Sequence, residues 1–406
     1  MHAQTVLQAV CLVAFSNVIQ AQTLAINNVG VIDMTTGNVQ KSQNILIKDN
    51  MIVDIQDTRA NLSAAESFDA SGMVIMPGLV DMHVHLFFTN DASQFATTDI
   101  SVLPPLLANG ITTVQDLGSN CNAIKDTARR ISRNQQLGPR IFSTCEMLDG
   151  GDSPFETVKR LQDPRQVETE VQKLMAQGVN KIKVHLRPTE EVFGAIAKAC
   201  KKNNIMFGGH VPDSIDATEA VRQGFGFIEH MSRIEPNNQS LIQDIGDKQL
   251  WVTGTLIQGQ SPVRLKLAND LRKAGARMLA GTDLPQGPGL CPNGSTHTEL
   301  KLMVEAGFSP LQALQTATTN AYESLNVHSK LGSIETGKVA DMVLFNENPV
   351  EDINNLDTIA GVIVNGKLHR KDELDKMLRD ANLAENLPFA CGDRRDLKPR
   401  NTCCSV

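Results

Sequence analysis

Aromatic residues are scarce in this chain of 406 residues, which holds one tryptophan, one tyrosine and 14 phenylalanines. Its core must therefore be mostly aliphatic, and any function that needs a tyrosine has only Tyr322 to draw on. Long basic runs are missing and the formal net charge is −7, which argues against nucleic acid as a partner. None of the eight cysteines shows CxxC spacing, so a cysteine zinc site is not expected. No long apolar span occurs either. The segment Val6 to Ile19 is too short to cross a bilayer comfortably, and no Lys or Arg precedes Lys41 to give it a positive flank. Its small residue in Gln20-Ala21-Gln22 still suits cleavage. Residues 1–21 are thus read as a signal peptide and the protein as secreted or periplasmic, against the alternative of an N-terminal helix or apolar tail packed on the domain. After export, Cys391, Cys403 and Cys404 in the polar tail are candidates for disulfides. With Cys11 removed the thiol count is odd, so at least one stays free or pairs between chains.

The composition, 41% hydrophobic and 20% charged, is that of a soluble globular protein. The length suits a barrel of about 250 residues with a smaller partner domain. From Thr23 to Met76 the texture is short β: Ala25 to Val31, Asn44 to Lys48 and Met51 to Ile55, with Asp49-Asn50 as a hairpin turn. The same texture returns in Ala340 to Phe345 and Gly361 to Val364, where Asn365-Gly366 turns into Lys367-Leu368-His369. One β-domain built from both chain ends is expected. Between these patches strands and helices alternate, with buried strands at Ile111–Asp116, Arg140–Thr144, Val179–His185, Ile205–His210, Phe225–His230, Gln249–Thr255 and Arg277–Asp283. With the strand that ends at His85 these make eight βα units, which predicts a (β/α)8 TIM barrel over residues 77–329. A β-sandwich would take residues 22–76 and 330–370, and residues 371–406 a C-terminal helix and tail.

In such a barrel, chemistry gathers where strands end. Here they end in His83-Val84-His85, Gly209-His210, Glu229-His230 and Thr282-Asp283. Singly, each has a bland reading as a hydrogen-bonded core histidine or a helix cap. Together on one rim they read as a metal site. Lys181-Ile182-Lys183-Val184-His185-Leu186 alternates strictly, turning Lys181, Lys183 and His185 inward if the apolar side faces the helices. A buried ammonium beside cations is costly, but a lysine carbamate formed with CO2 could bridge two metals. The lysines could instead pair with carboxylates.

These motifs resemble the metal-dependent amidohydrolase superfamily, in its imidazolonepropionase-like and prolidase-like branch, over about residues 23–370. Pro77-Gly-Leu-Val-Asp-Met-His-Val-His85 is similar to the family's first barrel strand, and Gly110-Ile-Thr-Thr-Val-Gln-Asp-Leu-Gly118 to its second. Gly209-His-Val-Pro212, Glu229-His230 and Ala280-Gly-Thr-Asp283 resemble strands five, six and eight. Thr318-Thr-Asn-Ala321 and Gly332–Asp341 resemble the return into the β-domain. The resemblance implies two divalent metals, zinc by expectation. His83, His85 and Asp283 would hold the more buried one, His210 and His230 the more exposed one, and carboxylated Lys183 would bridge them. Lys181 departs from the family pattern and shares the parity of Lys183, but the match to the family favours Lys183 as the modified lysine. The implied reaction is attack of a metal-bridging hydroxide on a small-molecule amide or peptide, with Asp283 as general base and acid. Dipeptides or N-acyl amino acids are the expected substrates.

His185 could touch substrate or oxyanion, or serve as a rim hydrogen-bonder. Arg187 is the candidate carboxylate binder, and His297 has equal claims as a site residue or a helix-start residue. A mononuclear cyclic amide hydrolase or deaminase is the alternative, though Asp213 is a poor match for the acid such enzymes carry after the fifth-strand histidine. A non-catalytic binding barrel is the remote one. A homo-oligomer through the closing helices, Thr298–Ala306 and Pro310–Leu325, is equally compatible with their packing on the barrel.

Overall fold

The computed structural model describes residues 23–57, 62, 64–285 and 290–383. The expected signal peptide and the cysteines of the tail lie outside the described residues. Among the described residues there are eighteen strands in chain order. The first five are β1 Thr23–Ile32, β2 Val39–Lys48, β3 Met51–Asp57, β4 Glu66–Asp69 and β5 Val74–Pro77. The next ten are β6 Leu79–Val84, β7 Ile111–Asp116, β8 Arg140–Ser143, β9 Met147–Gly150, β10 Val158–Leu161, β11 Ile182–Val184, β12 Phe207–Gly209, β13 Phe227–Glu229, β14 Trp251–Thr253 and β15 Arg277–Leu279. The last three are β16 Met342–Phe345, β17 Ile359–Val364 and β18 Lys367–Arg370.

The two ends of the chain meet in one sheet of eight strands, ordered β18-β17-β16-β5-β1-β2-β3 with β4 beside β1. Its joining seam is β16 running antiparallel to β5, with Met342 opposite Pro77. Leu24, Ile26, Ile45, Ile47 and Ile52 from one end pack with Leu344, Ile363 and Leu368 from the other in a buried cluster of their own. The Asp49-Asn50 turn joins β2 to β3 with Lys48 opposite Met51, and Asp49 takes the left-handed φ of 55° that such a turn needs.

The remaining strands are parallel, and here the expectation of one closed eight-stranded ring is met only in part. They form two sheets, β6-β7-β8 and β10-β9-β11-β12-β13-β14-β15. The break falls just past the expected third strand, Arg140–Thr144: Cys145 has φ 55°, so the chain leaves the extended conformation there and β9 begins anew at Met147. At the opposite seam the backbone continues the pairing without a named strand: Asp283 N–H donates to the His83 carbonyl at 2.7 Å and His85 N–H to that of Leu284 at 2.7 Å. Helices separate the strands as periodicity predicts, among them Val167–Ala176, Glu190–Lys202, Ala217–Arg222 and Pro262–Ala274. The expected closing helix Pro310–Leu325 is two helices, Pro310–Thr316 and Thr319–Ser324, because Thr318 departs from helical backbone at φ −134° and ψ −97°. No helix among the described residues is long and apolar enough to cross a membrane.

Cys121 and Cys145 form a disulfide, a pairing the sequence did not single out. Cys200 is buried and free, and burial pushes its thiol up to about 12.

Candidate metal centre

The residues at the ends of β6, β12 and β13 and just beyond β15 converge on one buried space. His83 lies on β6 and His85 one residue past its end, two positions apart, so both imidazoles leave the same side of the chain. His83 Nε2 lies 3.2 Å from His85 Nε2 and 3.3 Å from Asp283 Oδ1, and His85 Nε2 lies 3.1 Å from that same oxygen. Donors held 2.0–2.1 Å from a shared tetrahedral centre stand about 3.3 Å apart. The three atoms therefore have the spacing of one metal's ligands.

Hydrogen bonds to the other ring nitrogens set the tautomers. His83 Nδ1 donates to Glu229 Oε2 at 2.6 Å, and His85 Nδ1 donates to the Gly118 carbonyl at 2.9 Å. His230 Nδ1 donates to Thr255 Oγ1 at 2.8 Å, whose own hydroxyl proton goes to the Gly254 carbonyl. In each ring Nε2 is left as the lone-pair nitrogen, which is how ligand histidines are held. Burial lowers His83, and lowers His210 and His230 well below the usual histidine range. The Lys183 charge presses on His210 as well, and the His83 charge on His230. These rings are neutral at neutral pH, the form that binds a cation. Burial raises the Asp283 carboxyl, but the imidazoles of His83, His85 and His230 around it outweigh that and bring it below the usual carboxylate range.

His210 and His230 continue the line. Ring centroids are 5.2 Å apart for His85 and His83, 4.6 Å for His83 and His230, 4.5 Å for His230 and His210, and 4.6 Å for His210 and His185. Five imidazoles thus form an unbroken arc. Lys183 is fully buried, and its charge depresses His83, His185, His210 and His230. Gly209 makes room for it: a β-carbon there would stand 2.7 Å from Lys183 Cδ and 2.3 Å from the Val184 carbonyl oxygen, at a φ of 132°. Lys181 is engaged elsewhere. Its Nζ donates to Ser324 Oγ at 3.2 Å and sits 4.9 Å from the Phe227 ring centroid, and burial brings it down to about 8.

The remaining sequence candidates are peripheral or tied down. His185 Nδ1 donates to Asp149 Oδ2 at 2.9 Å. Arg187 is half-exposed and pairs with Asp152 at 2.9 Å, while its backbone N–H donates to Asp149. His297 lies outside the arc, donating from Nε2 to the Asn109 carbonyl at 2.8 Å with Nδ1 facing Asp357. Asp213 pairs with Arg233.

Four polar residues at the centre had been given no role. Glu229 and Thr255 hold the Nδ1 atoms of His83 and His230. Gln258 donates to Asp283 Oδ2 at 2.9 Å. Asp81 accepts from the backbone N–H groups of His83 and Thr282 and from the hydroxyls of Thr282 and Thr296, tying β6 to the segment that carries Asp283. A carboxylate inside an apolar strand, as at Asp81 and Glu229, is a legible signal. Gln258 lies in a loop and carries none.

The model of the amidohydrolase family matches residues 74–369. The chain belongs to the amidohydrolase family. Among its relatives, the ochratoxinase of Aspergillus niger is 24% identical over 358 residues, covering 69% of this chain and 72% of that protein. An imidazolonepropionase of Aeromonas hydrophila is 22% identical over 372 residues, covering 78% and 88%. The solved structure of a putative prolidase from Bifidobacterium longum superposes with a TM-score of 0.71 at 24% identity, covering 89% of this chain and 99% of that one. This amidohydrolase is thus an enzyme of a family whose members hydrolyse carbon–nitrogen bonds in small molecules.

Proposed function

We propose that this amidohydrolase is a binuclear metal-dependent hydrolase of amide bonds, acting on dipeptides or N-acyl amino acids. The observation that carries the proposal is the close approach of His83 Nε2, His85 Nε2 and Asp283 Oδ1 next to a buried Lys183 and two further neutral histidines. His83, His85 and Asp283 would hold one ion and His210 and His230 the other, with Lys183, carboxylated by CO2, shared between them. Divalent zinc suits the nitrogen and oxygen donors. When bound, the metal pair supplies Lewis acidity, acidifying water and polarising the acyl carbonyl. Asp283, ionised and steered by Gln258, takes the proton of the attacking water and returns it to the amine nitrogen as the C–N bond breaks. His185, backed by Asp149, faces the substrate side of the arc, and Arg187 contacts a substrate carboxylate. Further parts of the proposal are that the two parallel sheets act as one closed (β/α)8 barrel over residues 77–329, and that residues 22–76 and 330–370 form a β-sandwich. Export of the protein, which the Cys121–Cys145 disulfide supports, completes it.

One observation favours a mononuclear centre. Among the described residues His83, His85 and Asp283 form a tight ligand group that includes neither His210 nor His230. Metal content per chain, on protein produced with zinc and bicarbonate, separates the readings. About two ions, falling on Lys183→Ala, is the expected result. About one, insensitive to that substitution, would replace the proposal with a mononuclear cyclic amide hydrolase or deaminase.

A further inference from the structure

Resting on the reading of the centre as an amide hydrolase, we propose that a cavity beside His85 is the subsite for an apolar side chain of the substrate, an aryl or branched alkyl group next to the scissile bond. The cavity holds about 220 Å³. His85, Pro285, Phe87, Phe88, Phe95 and Val102 are among its lining residues. Since His85 belongs to the ligand group and Pro285 follows Asp283 by two residues, the cavity adjoins the position of the bond to be cut.

Six of its ten lining residues are apolar. Among the described residues no charged side chain lines it, and of its four polar side chains His85 belongs to the ligand group while the other three donate elsewhere. Thr89 Oγ1 donates to Glu156 at 3.2 Å, Gln94 Nε2 to Asp91 at 3.3 Å, and Thr98 Oγ1 to the Leu86 carbonyl at 3.1 Å. A carboxylate or ammonium buried there would lose its hydration without compensation, whereas an apolar cavity of about 150 Å³ is enough for a benzene ring. The apolar wall also extends past the cavity. Phe88 lies 4.8 Å from the His85 ring and 5.7 Å from Phe155, which meets His185 edge-on at 4.9 Å. Two phenylalanines thus connect the ends of the histidine arc, so a substrate entering between them passes apolar surface before it reaches the ligands.

The test is a panel of matched N-acyl amino acids and dipeptides with one side chain flanking the scissile bond varied through Gly, Leu, Phe and Glu, assayed with the zinc-loaded full chain. Leu and Phe should exceed Gly in kcat/KM on the order of 10- to 100-fold, the size that burial of one apolar side chain supports, with Glu lowest. Val102→Phe, which fills the cavity, should lower the Phe-to-Gly ratio. Phe95→Ala, which removes a half-buried wall, should lower it too and serves if the first variant does not fold. Turnover without an apolar preference, or with Glu preferred, would overturn the subsite and leave amide hydrolysis standing. Turnover of no amide would sink the amidase reading instead. Calorimetry with N-acetylphenylalanine and N-acetylglycine then still decides the cavity. Tighter binding of the aryl compound, lost in Val102→Phe, supports it, and equal or absent binding overturns it.

Discussion

Two buried carboxylates a few ångströms from the same imidazole have opposite duties. Asp283 faces the Nε2 atoms of His83 and His85, where a ligand and proton carrier belongs, while Glu229 holds the far nitrogen of His83. Burial pushes Glu229 up, but its pairing with His83 Nδ1–H outweighs that and brings the carboxyl below its usual value. The two should therefore fail differently. Asp283→Asn keeps the shape but cannot take a proton, so turnover should fall on the order of 10²- to 10⁴-fold while circular dichroism stays unchanged. Activity that survives would remove Asp283 from its role. Glu229→Gln releases the tautomer of His83 and should weaken metal affinity about 10- to 100-fold in a chelator titration; unchanged affinity would make Glu229 a packing residue only.

At the scale of elements, the centre is assembled by strands that stop extending at the right residue. His230 and Asp283, at φ 61° and 64°, leave the β region just past β13 and β15, and so aim their side chains where strict alternation would not. Support comes from behind. Glu299, in the helix Ser295–Glu305, accepts the backbone N–H groups of Leu256 and Ile257 and so anchors the short segment that carries Gln258. Burial raises Glu299 from 4.5 to about 8 despite those bonds. The folded form therefore keeps a proton that the unfolded chain releases above about 4.5. Its stabilising contribution is full below that pH and is lost as pH rises toward about 8. The stability of wild type minus that of Glu299→Gln should accordingly fall over this window, by up to about 5 kcal/mol in denaturant titrations. A difference that is flat or grows with pH would show that Glu299 is ionised in the fold.

At the scale of the molecule, the parallel sheets are fastened to the sheet of chain ends by a polar contact. Arg140 on β8 bonds both Asp341 Oδ2 at 3.2 Å and Asn365 Oδ1 at 3.1 Å. Burial raises the Asp341 carboxyl, and Arg140 with the Asn365 N–H pulls it back. Arg140→Met would strand a buried charge and should cost about 3 kcal/mol of stability at pH 7. Because the stranded carboxyl then protonates more readily, the loss should shrink as pH is lowered toward 5. A loss independent of pH would mean that packing by the Arg140 stem, and not its charge, joins the two parts.

The sequence by itself determined the alternation of elements, the sharing of one sheet by both chain ends and the side-chain types at the strand ends. These follow from local periodicity: a spacing of two put His83 and His85 together at the end of β6, and the same spacing turned Lys181 and Lys183 to one side around β11. What the tertiary structure decided is which of those groups meet. The two lysines are indistinguishable by parity, and only the neighbours that packing brings, Ser324 and Phe227 for Lys181 and the histidines for Lys183, separate them. The interruption at Cys145, the bond from Cys121 to Cys145, and the partnerships of Glu229 with His83 and Gln258 with Asp283 likewise join residues far apart in the chain. Local pattern carries no information on such contacts, because they depend on the relative placement of elements that the core alone sets.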